Sequence, residues 1–176
     1  MSCSSSSHSA ALLLGGNLGN RLQLLQQALE LIEQHIGSVA LASPVYETAP
    51  WKVDTPLSFY NQAAIVRTSL APIDLLRQAL SIEHLLGRRR SPSLGYASRP
   101  MDIDIIFYDS LVLDQSFPDF DLTIPHPRMH LRRFVLVPLA DIIPSFVHPL
   151  FHRSVQQLLD DCPDTSSVVP ILPSLL

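Results

Sequence analysis

Several features that would define a class of function are scarce or missing in this chain. Its 176 residues contain two cysteines, Cys3 and Cys162, without the spacing of a zinc site or a redox pair. The net charge of −4 argues against a general nucleic-acid binder. No apolar run approaches the roughly 20 residues that cross a bilayer, and the Ser-rich start lacks the basic segment of a signal peptide. We therefore expect a cytoplasmic protein that contacts neither nucleic acid nor membrane.

Glycine loops that bind phosphate are also missing. The chain has no Gly-Lys-Ser/Thr sequence, and the glycines at positions 15, 16 and 19 lack the Gly-x-Gly-x-x-Gly spacing. A tight turn into a helix explains these glycines adequately. If ATP binds, carboxylates and arginines elsewhere in the chain must hold it.

The hydrophobic pattern predicts one α+β domain at residues 10–162, between a disordered Ser-rich tail at 1–9 and a C-terminal tail at 163–176. Asn20 and Gly37 bound the first predicted helix, and Pro72 and Gly87 bound the second. Strands are predicted at 10–14, 39–46, 59–69, 99–107 and 111–113, further helices at 134–142 and 154–160, and irregular chain at 118–133. The order β-α-β-β-α-β predicts a ferredoxin-like split βαβ fold, an antiparallel sheet flanked by helices.

Two carboxylates on the fourth main strand are the most informative feature. Asp102 and Asp104 are two residues apart, so they share one face at a spacing of about 6–7 Å. Two aspartates on one face repel each other unless a cation lies between them, and Mg²⁺ carrying phosphate is the natural candidate. Solvated side chains at a strand end are the alternative. It is less favoured because the opposite face carries an apolar row: Met101, Ile103, Ile105 and Phe107.

Basic side chains near this strand could bind phosphate. Arg88, Arg89 and Arg90 follow the second helix, and Arg99 precedes the aspartates. Planar guanidinium groups suit phosphate oxygens, although a triplet of arginines alone is more often a solvated loop. His126 lies between two prolines that restrict its loop. A phosphate contact is our preferred role for it, ahead of a general acid, whereas a lone histidine is most often structural.

Aromatic residues are few, and the simplest interpretation of Phe59 and Phe134 is core packing. The alternative is that the two rings hold a flat heterocycle between them. Asn61 lies two residues from Phe59, and its amide can both donate and accept a hydrogen bond toward such a ring.

Together these motifs resemble the 6-hydroxymethyl-7,8-dihydropterin pyrophosphokinase family over residues 11–159. The matching pieces occur in order: Gly15–Leu18, Tyr46–Trp51, Phe59–Asn61, Glu83, Gly87–Arg90, Arg99–Asp104, Pro125–Met129 and Arg132–Phe134. The resemblance implies transfer of pyrophosphate from ATP, the co-substrate, to the hydroxymethyl group of the pterin, with release of AMP, in folate biosynthesis. It also implies two Mg²⁺ ions on Asp102 and Asp104.

The resemblance further implies roles for individual residues. The catalytic set is Arg88, Arg90, Arg99, Asp102 and Asp104. The ATP-binding set is Glu83, Arg88, Arg90, Arg99, Ile105, Thr123, His126 and Arg132. The pterin-binding set is Thr48, Trp51, Phe59, Asn61 and Phe134. Three flexible loops, at 47–58, at 88–98 and around Gly15, would close over the substrates and exclude water.

Two alternatives remain at this point. A metal-dependent nucleotidyltransferase could use the same paired aspartates, but it would leave AMP attached to its acceptor. A non-catalytic ferredoxin-like RNA-binding module would instead need exposed aromatics on the sheet and a basic face. The oligomeric state is open, with a monomer as the simplest expectation and the pterin and ATP as the small-molecule partners.

Overall fold

The computed structural model describes residues 7–52, 55–89, 98–118 and 120–171. The predicted site residue Arg90 and most of the predicted loop at 88–98 lie outside these ranges. Strands and helices within them are as follows: β1 (His8–Gly16), α1 (Arg21–His35), β2 (Ser38–Ala42), β3 (Tyr46–Thr48), β4 (Phe59–Thr68), α2 (Pro72–Leu85), β5 (Asp102–Tyr108), β6 (Leu113–Ser116), β7 (Asp121–Ile124), a 3-10 turn (Met129–Leu131), α3 (Arg133–Ile142), α4 (Val155–Asp160) and β8 (Val168–Pro170).

The main sheet has six strands in the order β5-β1-β4-β3-β8, and β2 also pairs with β4. Every pairing in it is antiparallel. Together β2 and β3 occupy the place of the second strand of a split βαβ unit, so the predicted ferredoxin-like fold is confirmed. The strands β6 and β7 form a separate hairpin. Among the described residues, no helix is long and apolar enough to span a membrane.

Helices cover both faces of this sheet. The Asn20 side chain accepts a hydrogen bond from the backbone N–H of Gln23 at 3.3 Å and so begins α1, as predicted. Pro72 opens α2, also as predicted, because its missing N–H is not needed in a first turn. Helices α1 and α2 bury Ile32 and Ile82 against one face, and α3 and α4 pack on the other.

Two apolar layers result, which we name after their helices. The α1–α2 layer contains Leu12, Leu14, Met101, Ile103 and Ile105. The α3–α4 layer contains Ala11, Leu13, Phe107, Leu136 and Leu139.

One residue of the predicted apolar row lies on the wrong face. Leu12 pairs with Ile105, but Ala11 pairs with Phe107, which leaves Ile106 as an extra residue in β5. This bulge reverses the alternation. Phe107 consequently packs in the α3–α4 layer, whereas Ile103 and Ile105 remain in the α1–α2 layer.

Several predicted boundaries were also wrong. The predicted strand at 39–46 is interrupted at Ser43–Val45, where Ser43 hydrogen bonds through its side chain and Pro44 has no N–H to donate. The strand β7 lies in the segment predicted to be irregular, and β6 begins two residues later than its predicted strand.

The two predicted tails contain regular structure as well. His8 and Ser9 belong to β1 and pair with Thr68 and Arg67. At the other end, β8 pairs with β3. Gly15, predicted to lie in a flexible loop, is inside β1 and pairs with both neighbouring strands.

Candidate active site

A pocket opens where the α3–α4 layer ends, and it contains about 490 Å³ of empty space, part of it open to solvent. Asp102 and Asp104 both line it, which confirms that they share a face of β5. The other lining residues come from β1, β3, β4, α3 and the adjoining loops: Leu13, Gly15, Thr48, Ala49, Trp51, Phe59, Asn61, Arg99, Arg132 and Phe134.

Two glycines leave room for the walls of this pocket. A Cβ at Gly15 would lie 2.2 Å from the Asn61 side-chain oxygen, and one at Gly16 would lie 2.1 Å from the Pro100 carbonyl oxygen. No side chain fits at either distance. These glycines are therefore needed for close approach within the sheet, and the predicted role in a tight turn belongs to Gly19, whose φ is 73°.

The two carboxylates differ in their electrostatic surroundings. Burial alone would raise the pKa of Asp102, but the guanidinium groups of Arg99 and Arg88 hold it below its usual value. Burial and the neighbouring charge of Asp102 raise the pKa of Asp104 to about 7. At neutral pH Asp104 therefore carries a proton about half of the time, and a divalent cation that displaced this proton would relieve the repulsion between the two carboxylates.

A chain of ion pairs holds the first arginine in place. Glu83, on α2, is 2% exposed and accepts a hydrogen bond from the backbone N–H of Ile103 at 2.9 Å. Its carboxylate also lies 2.7 Å from Arg88 Nη1. Arg88 in turn contacts Asp102, whereas Arg89 is exposed. Glu83 thus orients Arg88 toward Asp102. Its hydrogen bond with Ile103 also attaches Glu83 to β5.

A second arginine is fixed by a residue that the sequence did not identify. Arg99 Nε lies 3.2 Å from Asp102 Oδ2. Its backbone is bound on both sides by Asn17, whose Oδ1 accepts from Arg99 N at 2.8 Å and whose N–H donates to Arg99 O at 2.9 Å. Asn17 is 3% exposed and also donates to Ser98 Oγ. Its place directly after Gly15–Gly16 was the only available signal.

Aromatic rings form the other side of the pocket. Phe134, at the start of α3, and Trp51 have ring centroids 6.3 Å apart. The Arg132 guanidinium lies 4.4 Å from the Trp51 ring and 5.7 Å from the Phe134 ring. Phe59 lies at the start of β4 and is buried. These rings line the pocket, so core packing alone does not describe them.

A buried amide lies between the rings and the carboxylates. Asn61 Nδ2 donates to Thr48 Oγ1 at 2.7 Å, and both side chains are buried. This bond fixes the orientation of the amide. The five predicted pterin-binding residues therefore meet in one pocket.

Five of the predicted ATP-binding residues that the structure describes do not line this pocket: Glu83 and Arg88, described above, and Ile105, Thr123 and His126. The Ile105 side chain is buried in the α1–α2 layer. Thr123 Oγ1 donates to Asp114 Oδ1 at 2.9 Å in the β6–β7 hairpin. His126 N–H donates to the Ile106 carbonyl at 3.0 Å, which attaches the histidine to the open edge of β5.

The state of His126 bears on its predicted role. Burial and the nearby charges of Arg132 and Arg128 lower its pKa to about 4, so the ring is neutral at pH 7. Its Nδ1 accepts from the Arg128 N–H at 3.2 Å, which leaves the proton on Nε2. A neutral N–H donor suits a phosphate oxygen, and it is a poor general acid.

The donor set fits Mg²⁺ better than a transition metal. Among the described residues, no cluster of three or more His, Cys, Asp or Glu could hold an ion. Two carboxylates on one face, with open space in front of them, match a cation that keeps several waters and takes phosphate oxygens as ligands.

Comparisons with known proteins agree with this arrangement. Residues 11–144 match the family model of 7,8-dihydro-6-hydroxymethylpterin-pyrophosphokinase (HPPK). A 2-amino-4-hydroxy-6-hydroxymethyldihydropteridine pyrophosphokinase from Porphyromonas gingivalis is 41% identical over 139 residues, which cover 78% of this chain and 92% of that one. The enzyme of the same name from a Synechocystis strain is 38% identical over 169 residues, 96% and 83% of the two chains.

A solved structure extends the likeness to the fold. The Plasmodium falciparum HPPK-DHPS chain in complex with SDX-DHP superposes with a TM-score of 0.76 at 18% identity. The aligned region covers 88% of this chain but 44% of that one, so the present chain spans less than half of the solved protein.

Proposed function

Since this chain belongs to the 7,8-dihydro-6-hydroxymethylpterin-pyrophosphokinase family, we propose that it transfers pyrophosphate from ATP to the hydroxymethyl oxygen of 6-hydroxymethyl-7,8-dihydropterin, releasing AMP, in folate biosynthesis. The observation that carries the proposal is a single pocket in which two carboxylates face a set of aromatic rings. The hydroxymethyl oxygen attacks the β-phosphorus, and the bond from that phosphorus to the α–β bridging oxygen breaks.

The pterin lies among Phe59, Phe134 and Trp51, with the ring edge toward Asn61. Stacking against flat aromatic faces suits a bicyclic heterocycle. The Asn61 amide donates to Thr48, which leaves its carbonyl oxygen and its second N–H to select the hydrogen-bonding edge of the pterin.

The triphosphate lies along the arginines on the other side of the carboxylates. Arg88 and Arg99 supply positive charge there, and Arg132 supplies it from beside the Trp51 ring. Arg90 belongs to the proposed phosphate-binding set. In the structure, Arg88 and Arg99 are paired with Asp102. These two guanidinium groups therefore exchange a carboxylate for phosphate oxygens when the substrate binds, and Glu83 keeps hold of Arg88 meanwhile.

Asp102 and Asp104 are the residues that would hold two Mg²⁺ ions. When bound, these ions neutralise charge on the phosphates and favour ionisation of the attacking hydroxyl. The rest of the catalysis is alignment: the pocket fixes the acceptor oxygen in line with the phosphorus. His126 donates a hydrogen bond from its neutral Nε2 to a phosphate oxygen. Ile105 and Thr123 are proposed to contact ATP.

We also propose that the chain works in the cytoplasm, since the Cys162 thiol is free, as is usual in a reducing compartment. A monomer remains the simplest expectation for its oligomeric state. The nucleotidyltransferase and RNA-binding alternatives are not favoured by the family match. Helices cover both sheet faces, so the flat aromatic surface that an RNA-binding module needs is not exposed in the described chain.

Isotope placement tests the reaction directly. The protein is incubated with Mg²⁺, the pterin and ATP labelled on either the α- or the β-phosphate. We expect β-label on the pterin and α-label in free AMP, in equal amounts. Label from the α-phosphate on the acceptor would indicate a nucleotidyltransferase, and release of ADP would also contradict the proposal.

A further inference from the structure

We propose that residues 164–171, here called the C-terminal strap, set the geometry of the pterin pocket, and that Asp164 is a positioning residue for Phe134 and Arg132. The strap follows the family-matched region, which ends at residue 144. The inference rests on the proposed function, because it takes Phe134 as part of the pterin site.

One end of the strap is attached to α3. Asp164 Oδ2 accepts a hydrogen bond from the backbone N–H of Arg133, the first residue of the helix, at 3.0 Å. Arg132, the residue before the helix, does not cap it with its side chain, which lies over the Trp51 ring. The first turn of α3 has no acidic residue. Asp164 therefore supplies, from about 30 residues away, the cap that α3 lacks locally.

The carboxylate of Asp164 is itself held in place. Its Oδ1 accepts from the Ser166 N–H at 2.9 Å. Burial would raise its pKa, but the hydrogen bonds from Ser166 and Arg133 lower it, so the group stays ionised at neutral pH. An ionised carboxylate that accepts two hydrogen bonds is a rigid attachment point for the helix end.

The other end of the strap is attached to β3. Val168 pairs with Thr48 and Pro170 with Tyr46, and the Ile171 N–H donates to the Val45 carbonyl at 2.8 Å. Thr48 and the next residue, Ala49, line the pocket. The strap thus connects the wall that carries Thr48 to the wall that carries Phe134, within a few residues of both.

The consequence is a fixed distance between two walls that must hold a flat ring. Without the Asp164 cap, the first turn of α3 would fray, and Arg132 and Phe134 are the residues that such fraying displaces. The carboxylates lie on β5, at the opposite edge of the sheet from β8, so they do not depend on the strap. The strap should therefore affect binding of the pterin more than binding of ATP.

Asp164→Ala tests the role, with Asp164→Asn as the conservative variant that keeps an acceptor oxygen. Asp160→Ala is the matched control, since Asp160 bonds only to Gln156 in its own helix among the hydrogen bonds described. We expect Asp164→Ala to raise KM for the pterin by roughly 3- to 10-fold. KM for ATP should rise by a smaller factor, because Arg132 is one of several residues proposed to hold the triphosphate. Asp164→Asn should recover part of the loss, since its amide oxygen can still accept one of the two hydrogen bonds.

A second measurement does not depend on turnover. Trp51 is the only tryptophan and lies against Arg132 and Phe134, so its fluorescence reports on this corner. Asp164→Ala should shift the Trp51 emission and speed hydrogen exchange at the Arg133 amide, and Asp160→Ala should do neither. If the protein does not act on the pterin, these two readouts still decide the question. An unchanged spectrum and unchanged exchange, or equal rises in both KM values, would overturn the proposal.

Discussion

The two faces of the sheet are built from the same strands but differ in what they enclose. On the α1–α2 face, Leu12 and Leu14 of β1 meet Ile103 and Ile105 of β5 in a closed apolar layer. On the α3–α4 face, Leu13 of β1 borders the pocket, and Asp104 is its partner on β5. One layer is sealed along its whole length, and the other opens into the site.

Strand β5 separates these two environments one residue at a time. Its odd-numbered positions near the start supply packing, and Asp102 and Asp104 supply charge. Burying a carboxylate is costly, and the pKa of about 7 at Asp104 reflects that cost. The apolar layer on the other face must therefore hold the strand against the repulsion between its two carboxylates. Changes on the two faces should consequently have separable effects.

The largest expected effect is on the charged face. Asp104→Asn keeps the size of the side chain but removes a predicted cation ligand. We expect kcat to fall by roughly 10²- to 10³-fold or more, because alignment and charge neutralisation carry most of the catalysis. Because the change also removes the repulsion with Asp102, the thermal midpoint should stay the same or rise. Asp102→Ala should likewise nearly abolish turnover.

Ile103→Val is the matched control on the opposite face of the same strand. It should cost about 0.5–1.5 kcal/mol of stability and leave kcat within about twofold of the unmodified enzyme. Near-normal turnover by Asp104→Asn would remove the cation site from the mechanism.

The sealed layer should show the opposite pattern. Leu14 is fully buried, and Leu14→Ala should lower the free energy of unfolding by about 2–5 kcal/mol. Both KM values, measured below the unfolding temperature, should change little. Urea unfolding measures the first effect and steady-state kinetics the second. A large change in KM at unchanged stability would mean that the two faces are not independent.

A smaller effect is expected at the rim of the open layer. Phe134→Ala removes one aromatic wall, so the Kd of the pterin should rise by about 10-fold, whereas that of ATP should change little. Titration calorimetry with each ligand separates the two, and Phe146→Ala, an aromatic change in the α3–α4 layer away from the pocket, is the control. Equal losses of both ligands would indicate a general packing role for Phe134.

The difference between the faces also explains how far the sequence could be interpreted. Helices α1 and α2 have regular apolar spacing with local start and stop residues, so their bounds were predicted to within a residue or two. The strands β4 and β5 were also predicted, β5 from its alternation of aspartates and apolar residues, although β5 begins three residues after its predicted start at Arg99. The bulge at Ile106 was not predicted, because it changes only which face the following side chains are buried on.

The parts of the site that depend on distant contacts were the hardest to predict. Asn17 binds Arg99 across 82 positions of sequence, and its place after Gly15–Gly16 does not indicate which residue it pairs with. Three residues form β8, and they are a strand only because β3 lies beside them. Asp102 and Asp104, by contrast, were found from a local pattern, since a spacing of two on a strand already places them together.

The smallest expected effect is a pH dependence of stability that arises in the α3–α4 layer. His148 is buried in contact with Phe107 of the α3–α4 layer, and burial together with the nearby His130 lowers its pKa to about 4. The unfolded chain takes up this proton near pH 6.5, whereas the folded chain does not until about pH 4. Stability should therefore be full above pH 6.5 and decline as the pH falls toward 4.

His148→Asn isolates this contribution, because the amide oxygen can replace Nδ1 in accepting from the Leu150 and Phe151 N–H groups. The variant should lose some packing at pH 7, but its free energy of unfolding should decline less steeply between pH 6.5 and 4. The decline that remains comes from His126, whose pKa is also lowered to about 4. His35→Asn, at an exposed position on α1, should keep the full slope. Urea unfolding at four or five pH values compares the three proteins. Parallel curves for the unmodified chain and His148→Asn would show that acid sensitivity does not arise in the open layer.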